Sequence, residues 1–276
     1  MTNPVFVAPL AKWRAIPDGP ELDTPSSWLL PVRLVSAPAM LKVFKPHSDE
    51  RHSSDYLEYV CGYGAVRVLA ADETALLMER ATGPRSLVAM VLSSEDIEAA
   101  EILAITTTKL HEPRGWPIPK SLVPLNEHFE SLFKRAAEHD LLNLSASVAK
   151  FLLDTQRDVF PLHGDLHHSN VLDGGPRGWL AIDPKGLIGE RAYEVANLLA
   201  NPWPRGEVVH NTERMDRFAK LYAARLTLDL DRVLAYALAH AGLSASWDID
   251  DGFDPAYRLK CIEVLTPLVD CRSHGR

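Results

Sequence analysis

The spacing of apolar and polar residues predicts short strands in the N-terminal part of the chain. The clearest is AMLKVFKP, a compact apolar segment that carries Lys42 and ends at Pro46. A polar stretch leads into SSDYLEYVCGYG, for which we predict a helix that begins at Ser53 or Ser54 and ends at the glycines. The segment GAVRVLAADETALLMERATG predicts two strands around a turn at residues 71–73. We therefore expect a strand-rich N-terminal region with one helix.

The apolar spacing becomes helical after Gly83 and Pro84, which interrupt an apolar run. In EDIEAAEILAITTTKLHE the apolar residues recur every three or four positions, which predicts an amphipathic helix with the preceding Ser94 as its N-cap. NEHFESLFKRAAEHDLL has the same pattern. Further helices are predicted at residues 144–156 and from residue 192 onward, with breaks at 201–206 and 246–252.

One strand-rich insert interrupts these helices. PLHGDLHHSNVLDGGPRGWLAIDPKG contains two short apolar segments around a turn rich in glycine and proline, which predicts a β-hairpin. The whole pattern predicts an α+β fold with two lobes. We expect a small strand-rich lobe over residues 1–81 and a larger helical lobe over residues 82–276.

Composition and charge narrow the class of protein. The 276 residues are 46% apolar and 24% charged, which is ordinary for a globular protein and too apolar for a disordered one. The formal net charge of −8 argues against a nucleic-acid partner and is compatible with a cationic substrate. No apolar run approaches about 20 residues, the N-terminus lacks the features of a signal peptide, and the 3 cysteines show no CxxC spacing. We therefore expect a monomeric cytoplasmic protein with no membrane partner.

The most unusual segment is LHGDLHHSN, which gathers three histidines, one aspartate and one asparagine. A zinc site is one interpretation, but the adjacent His167 and His168 would point to opposite faces of an extended chain, and HExxH is absent. Phosphoryl transfer is the other. Asp165 and Asn170 have the H-x-D-x-x-x-x-N spacing of the kinase catalytic loop, where the carboxylate accepts the hydroxyl proton and the amide oxygen binds Mg²⁺. We favour phosphoryl transfer.

A magnesium site needs a further hard-oxygen ligand. Asp183 ends the apolar segment WLAID, across the predicted hairpin from SNVLD, where a kinase places its second metal ligand. Asp183 and Asn170 would then be the two protein ligands of the magnesium ion. The alternative is a hairpin whose polar residues only cap turns.

A kinase also requires a strand lysine that is paired with a helical glutamate. Lys42 lies in mid-strand, where apolar neighbours would bury its stem and direct its ammonium group toward phosphates. Glu50 is the preferred partner by position, and Glu58 is the alternative.

The stretch LHGDLHHSNVL…RGWLAIDPKGLIGE, with YGAVRVL, LLMERATG and LSASWDIDDG in order around it, resembles the aminoglycoside phosphotransferases. Within that family the chain is most similar to the streptomycin 6-phosphotransferase branch, which is grouped with the hydroxyurea phosphotransferases. The resemblance extends from Thr24 to Trp247. It implies a protein-kinase-like fold that binds ATP and Mg²⁺ between its lobes and phosphorylates streptomycin at the 6-hydroxyl. A kinase for hydroxyurea or a metabolite alcohol, or a catalytically idle nucleotide-binding module, is the alternative.

The resemblance implies roles for further residues. The backbone groups of Glu79 and Ala81 match the hinge that binds adenine. His163 matches a structural position, and Glu194 is the candidate for the carboxylate that holds its ring.

Two features depart from the kinase pattern. A G-x-G-x-x-G phosphate loop is missing from the sequence, and TPSSWLL occupies that region, so Ser26 and Ser27 are candidates for the phosphate contacts. Pro184 and Lys185 replace the Phe–Gly pair that follows the metal-binding aspartate of protein kinases. This replacement argues against regulatory switching at that position.

A streptomycin kinase must also bind a cationic acceptor. Streptomycin carries two guanidinium groups, which suit bidentate pairing with carboxylates. SWDIDDGFD supplies acidic residues in a predicted helix break. The candidate acceptor-binding residues are Glu190, Trp247, Asp248, Asp250 and Asp251. The alternative is an exposed, solvated acidic loop with Trp247 buried as a core anchor.

Overall fold

A computed structural model describes residues 3–35, 37–46 and 53–273, with side chains described as far as Val269. The N-terminal part forms one antiparallel sheet. Its strands are β1 (Ile16–Pro17), β2 (Leu22–Asp23), β3 (Ser27–Arg33), β4 (Pro38–Phe44), β5 (Val68–Ala71) and β6 (Ala75–Glu79). The order across the sheet is β1-β3-β4-β6-β5, and β2 also pairs with β3. The predicted strands around Lys42 and around the turn at 71–73 are confirmed.

Alternation along β4 separates the two faces of the sheet. Leu41 and Val43 are buried in a cluster with Phe6, which precedes the helix α1 (Val7–Trp13). Lys42 therefore lies on the opposite face, toward the rest of the protein. The helix α1 was not predicted, because seven residues are too few to show a clear helical period.

Helices make up most of the remaining chain. They are α2 (Ser53–Val60), α3 (Leu87–Leu92), α4 (Asp96–Leu110), α5 (Leu125–His128), α6 (Glu130–Arg135), α7 (Asp140–Asp154), α8 (Ala196–Leu199), α9 (Gly206–Val209), α10 (Thr212–Leu226), α11 (Leu230–Asp250) and α12 (Ala256–Ser273). The long α11 runs through the middle of this region and packs against α6, α7, α8 and α12. In the ranges that the structure describes, no helix combines the length and apolar character needed to cross a membrane. The α+β class is confirmed.

Two small sheets bring the polar segments together. The strands β9 (Val171–Asp173) and β10 (Trp179–Ala181) form the predicted hairpin, with Leu172 opposite Leu180. The strand β11 (Leu187–Glu190) lies between β7 (Val123–Pro124) and β8 (Val159–Leu162). The end of β8, where the segment LHGDLHHSN begins, thus lies beside the start of β11.

Several predicted helix boundaries differ from the structure. Ser94 does not cap α4, because it has φ of +70° and Glu95 occupies the N-cap position. The helix predicted at 144–156 begins earlier, at Asp140, and the one predicted over NEHFESLFKRAAEHDLL divides into α5 and α6. The break predicted at 201–206 is confirmed as the gap between α8 and α9.

The break predicted at 246–252 is wrong in position. The helix α11 continues to Asp250 because Trp247 and Ile249 still pack against the core. The acidic residues Asp248 and Asp250 alternate with these apolar residues on the same helix. Acidic composition alone suggested a loop here, because it does not reveal the helical period. The chain leaves the helix at Asp251 and Gly252, where Gly252 has φ of +76°.

Candidate active site

Asp165 lies in the loop after β8, and two asparagines hold its carboxylate. Asn197 Nδ2 donates a hydrogen bond to Oδ1 at 3.0 Å, and Asn170 Nδ2 lies 3.4 Å from Oδ2. Asn170 Nδ2 also donates to the main-chain oxygen of Asp165 at 2.9 Å. Gly164 permits this turn, since its φ is +79° and a Cβ atom there would lie 2.6 Å from the Leu187 side chain. The direction of the carboxylate is therefore fixed by its own loop and by α8.

Asn170 and Asp183 flank the β9–β10 hairpin and lie next to each other. The Ile182 N–H donates to the main-chain oxygen of Asn170 at 2.9 Å, which fixes the strand end that leads to Asp183. Asn170 Oδ1 accepts no hydrogen bond from the residues that the structure describes. An aspartate carboxylate and an unengaged amide oxygen are ligands that Mg²⁺ prefers. This donor set fits the magnesium ion that the sequence predicts.

Lys42 connects the N-terminal sheet to the hairpin. Its ammonium group forms an ion pair with Asp183 Oδ1. The Lys42 side chain is 2% exposed, whereas that of Asp183 is 42% exposed. The lysine stem is thus held in the protein while the carboxylate keeps a face open to a ligand.

The helical glutamate expected to pair with Lys42 is not defined by the structure. Glu50 lies outside the described residues. Glu58 is exposed on α2, where it lines a surface groove with Asp55 and Trp116. Within the described ranges, no hydrogen bond or ion pair joins Glu58 to Lys42, so the structure does not support this alternative.

Glu194 supports the Asp165 loop through main-chain groups. Its Oε2 accepts from the His163 N–H at 2.8 Å, its Oε1 accepts from the Gly164 N–H at 2.9 Å, and His111 Nε2 lies 3.1 Å from Oε2. Burial raises the pKa of Glu194, but the contact with His111 and the hydrogen bond from Gly164 outweigh it and hold the pKa below its ordinary value. The His163 ring bonds instead to the Ile182 carbonyl, at 2.8 Å from Nε2. The prediction that Glu194 holds the His163 ring is therefore wrong, because Glu194 contacts the main-chain N–H of His163 and not its ring.

His167 and His168, the other two histidines of the loop, do not converge with further metal-ligand side chains in the described part of the chain. No three His, Cys, Asp or Glu side chains among the described residues converge as metal ligands do. Burial, together with the nearby positive charge of Arg214, lowers the pKa of His168 to about 3. Burial also lowers the pKa of His167, whose Nδ1 accepts from the Ser169 N–H at 3.2 Å. Both rings are neutral at pH 7.

The candidates for nucleotide contacts lie at the ends of sheet strands. Glu79 ends β6, and its carboxylate is engaged by Arg177 Nε at 3.2 Å and by the Arg67 N–H at 3.2 Å. Ala81 follows the strand. Its N–H and C=O have no hydrogen-bond partner among the described residues. Only main-chain groups are therefore open to a ligand here.

The two serine candidates differ in their surroundings. Ser27 starts β3 and is 1% exposed, and its N–H donates to Thr24 Oγ1 at 3.1 Å. Its hydroxyl lies 3.1 Å from the same Thr24 oxygen. Ser27 is therefore not available for the predicted phosphate contact, because its side chain is buried and both its N–H and its hydroxyl are engaged with Thr24 in the turn between β2 and β3. Ser26, at the tip between β2 and β3, stays a candidate.

A cleft of about 270 Å³ opens beside the Asp165 carboxylate. It is lined by Asp165, His167, Ser169, Lys185, Asn197, Asn201, Trp203, His240, Ser244, Trp247, Asp248 and Arg258. Two of the predicted acceptor residues, Trp247 and Asp248, are in this lining. Asp248 Oδ2 lies 3.7 Å from Arg258 Nε, and burial raises the pKa of Asp248 although Arg258 opposes the shift.

The other three predicted acceptor residues do not line the cleft. Glu190 is 3% exposed, and Arg232 engages both of its carboxylate oxygens, so its predicted place at the cleft mouth is wrong. Asp250 accepts from Arg135 Nε at 2.6 Å on the outer surface. Two residues along a helix correspond to a rotation of about 200°, so Asp250 cannot share the direction of Asp248. Asp251 is exposed at the C-terminal end of α11.

Residues 12–252 match the model of the aminoglycoside/hydroxyurea antibiotic resistance kinases. The chain belongs to this family. It is 46% identical over 246 residues to a streptomycin 3''-kinase from Klebsiella pneumoniae, covering 88% of this chain and 92% of that relative. It is 30% identical over 256 residues to a streptomycin 6-kinase from Streptomyces griseus, covering 87% and 81%. The family resemblance inferred from the sequence is confirmed, and the chain is a phosphotransferase.

The fold of this kinase is also found in solved structures of distant sequence. An aminoglycoside phosphotransferase, APH(4)-Ia, determined as a ternary complex with ADP and hygromycin B, superposes with a TM-score of 0.67 at 14% identity. The match covers 98% of each chain. The predicted protein-kinase-like fold, with a strand-rich N-terminal lobe and a helical C-terminal part, is confirmed.

The sequence did not indicate two asparagines that line the candidate active cleft of the kinase. Asn197 contacts Asp165 directly, and Asn201 Nδ2 donates to Asn197 Oδ1 at 2.8 Å and to its main-chain oxygen at 2.8 Å. Their spacing of four residues in ANLLAN is a visible signal for one helical face. Nothing in that spacing, however, indicates that the face meets Asp165.

An uncharged aromatic wall backs the cleft of the kinase. The Tyr193 hydroxyl lies 2.8 Å from His128 Nε2 and 2.9 Å from His240 Nδ1, and the His128 ring packs edge-on to Trp247 at 5.2 Å. Burial lowers the pKa of His128 to about 3 and that of His240 well below its ordinary value. The wall therefore adds no positive charge to the cleft at neutral pH.

Proposed function

We propose that this kinase transfers the γ-phosphoryl group of ATP to a hydroxyl group of streptomycin. The observation that carries the proposal is the Asp165 carboxylate, which Asn170 and Asn197 hold at the wall of the open cleft. In phosphoryl transfer the protein contributes mainly position and charge, and a carboxylate near the hydroxyl accepts its proton. Asp165 would be that base.

The nucleotide would lie between the sheet and the hairpin. Asn170 and Asp183 would hold Mg²⁺, which, when bound, offsets the negative charge of the phosphate oxygens. Lys42, already beside Asp183, is suited to pair with the phosphates. The open main-chain groups at Ala81 support a hinge there, with the nucleotide-binding lobe ending at residue 81.

Streptomycin is supported as the acceptor by the relatives and by the cleft. Relatives at 46% and 30% identity are named streptomycin kinases. The cleft lining offers the Asp248 carboxylate to a guanidinium group and the Trp247 ring to a stacked cation. The sequence predicted the 6-hydroxyl, but the 46% identical relative is named a 3''-kinase. We therefore propose the 3''-hydroxyl as the acceptor position.

The test is ATP consumption by the purified kinase with streptomycin, other aminoglycosides, hydroxyurea and simple amino-alcohols as acceptors. We expect streptomycin to give the highest kcat/KM by at least about tenfold, which corresponds to about 1.4 kcal/mol. Equal or faster turnover with hydroxyurea or an amino-alcohol would contradict the proposed acceptor.

The position of the phosphate requires a second measurement on the same product. Phosphorus–proton coupling in the NMR spectrum identifies the carbon that carries the phosphate. Coupling at the amino-sugar ring supports the 3''-hydroxyl. Coupling at the ring that carries the guanidinium groups would instead assign the kinase to the 6-position.

A further inference from the structure

Lys185 is a cation in the proposed acceptor cleft, and no acidic side chain of the described residues pairs with it. Its side chain lines the cleft together with Asp165, and its Nζ lies 4.8 Å from the centre of the Trp247 ring. The ammonium group makes no hydrogen bond and no ion pair with the residues that the structure describes. The cleft lining also contains Arg258, but Arg258 faces the Asp248 carboxylate at 3.7 Å.

The backbone of Lys185 is fixed between the two segments that carry the chemistry. Lys185 follows Asp183 by two residues, and its N–H donates to the main-chain oxygen of His163 at 2.8 Å. His163 precedes Asp165 by two residues. The backbone of Lys185 is therefore tied to the loop of the candidate base and lies two residues from the candidate metal ligand, and its side chain lines the same cleft as Asp165.

Charge decides what this ammonium group can bind. A cationic acceptor would be repelled by an unpaired lysine, so the lysine does not favour the proposed substrate in the ground state. During transfer, negative charge is spread over the three equatorial oxygens of the phosphoryl group. A cation that meets those oxygens stabilises the transition state more than the ground state, which is the condition for raising kcat.

We propose that Lys185 is a catalytic residue that contacts the transferring phosphoryl group, a role that rests on the proposed kinase reaction. In that step a bond forms between the acceptor oxygen and the γ-phosphorus, and the bond from this phosphorus to the β–γ bridging oxygen breaks. The bridging oxygen leaves with the electron pair as part of ADP, and the hydroxyl proton goes to Asp165. Lys185 keeps its proton and donates hydrogen bonds to the phosphoryl oxygens.

The test compares Lys185→Met and Lys185→Arg with Lys150→Met. Lys150 is an exposed lysine on α7, paired with Asp154, and serves as the matched control. For Lys185→Met we expect kcat to fall by about 100-fold, with the KM for ATP changed by less than about threefold and the KM for streptomycin unchanged or lowered. Lys185→Arg should recover at least about tenfold of that loss, because it restores the charge. The control should keep wild-type kcat.

A second readout separates contact with the phosphoryl group from packing against Trp247. Binding of ADP with aluminium fluoride, which mimics the transferring group, is measured by calorimetry in the presence of streptomycin. Lys185→Met should weaken this binding by a factor similar to the loss in kcat while leaving the affinity for ADP alone unchanged. A purely structural role would leave the two affinities in their wild-type ratio and would overturn the proposal.

The outcomes are distinguishable from failure of the proposed function. If the wild-type kinase does not phosphorylate streptomycin, that function fails, and Lys185 is then tested through basal ATP hydrolysis, where water replaces the acceptor. A loss of kcat below about tenfold, or an effect confined to the KM for streptomycin, overturns the role of Lys185 alone. If Lys185→Met does not fold, as judged by thermal unfolding, Lys185→Gln carries the same comparison.

Discussion

The proposed nucleotide side and the proposed acceptor side of the cleft are constructed differently. On the nucleotide side, Asp165, Asn170 and Asp183 come from one hairpin and the loop before it, and Lys42 reaches them from the facing sheet. On the acceptor side, the lining comes from α8, α11, α12 and the connections between them. The first arrangement is local in sequence, whereas the second exists only after the helices have packed.

This difference follows from what each side must bind. A phosphate chain with its metal presents the same charges in every kinase, so a short segment with fixed spacing can supply the matching groups. An acceptor differs from one kinase to another, and its shape must be met by side chains that point into one space from several helices. Substitutions on the two sides should therefore have different kinetic signatures.

The largest effect is expected for Asp165→Ala. Asp165 belongs to the nucleotide side, and its carboxylate lines the cleft where the acceptor hydroxyl would lie. Loss of the proposed base should lower kcat by about 10³-fold or more while the affinity for ATP changes by less than about threefold, because the carboxylate touches the hydroxyl rather than the nucleotide. Steady-state kinetics and nucleotide binding measure the two quantities. If the variant keeps more than about a tenth of wild-type turnover, Asp165 is not the base.

Asp183→Asn should affect both turnover and the nucleotide. It removes a charge from the proposed metal shell and from the ion pair with Lys42, so we expect kcat to fall by about 100-fold and the affinity for Mg²⁺–ATP to weaken. Asp154→Asn, an exposed aspartate on α7, is the control and should change neither. Unchanged binding of ATP across a magnesium titration would argue against Asp183 as a ligand.

The zinc interpretation of the histidine loop is tested on the wild-type kinase. A chelator that removes zinc but spares magnesium should leave the kinase active.

The two sides also differ in how far the sequence predicted them. Asp165, Asn170, Asp183 and Lys42 were named from spacing and strand position, and the structure places them together because a hairpin and an alternating strand obey local rules. The acceptor side was predicted from acidic composition. Asp248 was placed in the cleft and Asp250 outside it by the helical rotation, which a supposed loop could not reveal.

Glu190 and Asn197 show what the sequence could not predict. Glu190 was predicted to lie in the site and does not, whereas Asn197 was not predicted and does. Glu190 looked available beside the active site, yet Arg232 on α11 holds it in the interior, and that pairing spans 42 residues. Asn197 looked like an ordinary helical residue, yet it bonds to Asp165 across 32 residues. Both contacts depend on helix packing, which no local pattern in the chain encodes.

Asn197→Asp tests the contact between the two sides. The substitution places a negative charge from α8 next to the carboxylate of the proposed base, Asp165. A like charge beside Asp165 raises its pKa, and the base works only when deprotonated. The acid limb of the pH profile of kcat/KM should therefore move to higher pH by at least about one unit. Asn143→Asp, at an exposed position on α7, is the control. A profile that superposes on that of the wild type would show that Asn197 does not position the base.

The smallest effect is expected within the acceptor side, where Asp248→Asn and Asp250→Asn make the same change on different sides of α11. Asp248→Asn should raise the KM for streptomycin by about tenfold, or about 1.4 kcal/mol, without changing the KM for ATP. Asp250→Asn should leave both within about twofold, because Asp250 pairs with Arg135 outside the cleft. If neither changes the KM for streptomycin, the acidic end of α11 does not bind the acceptor.

The pH dependence of that same pair provides the final test. Burial raises the pKa of Asp248, whereas hydrogen bonds from Ser131 and Arg135 lower the pKa of Asp250. Asp248 attracts a cation only when it is deprotonated, so its contribution is present above its pKa and is lost as the pH falls through it. Because that pKa is raised, the loss begins at higher pH than for an ordinary aspartate, with its pKa of about 3.9. The ratio of the KM for streptomycin in Asp248→Asn to that in the wild type should therefore approach one as the pH falls. A ratio that stays constant down to about pH 4 would mean that Asp248 acts through its shape and not through its charge.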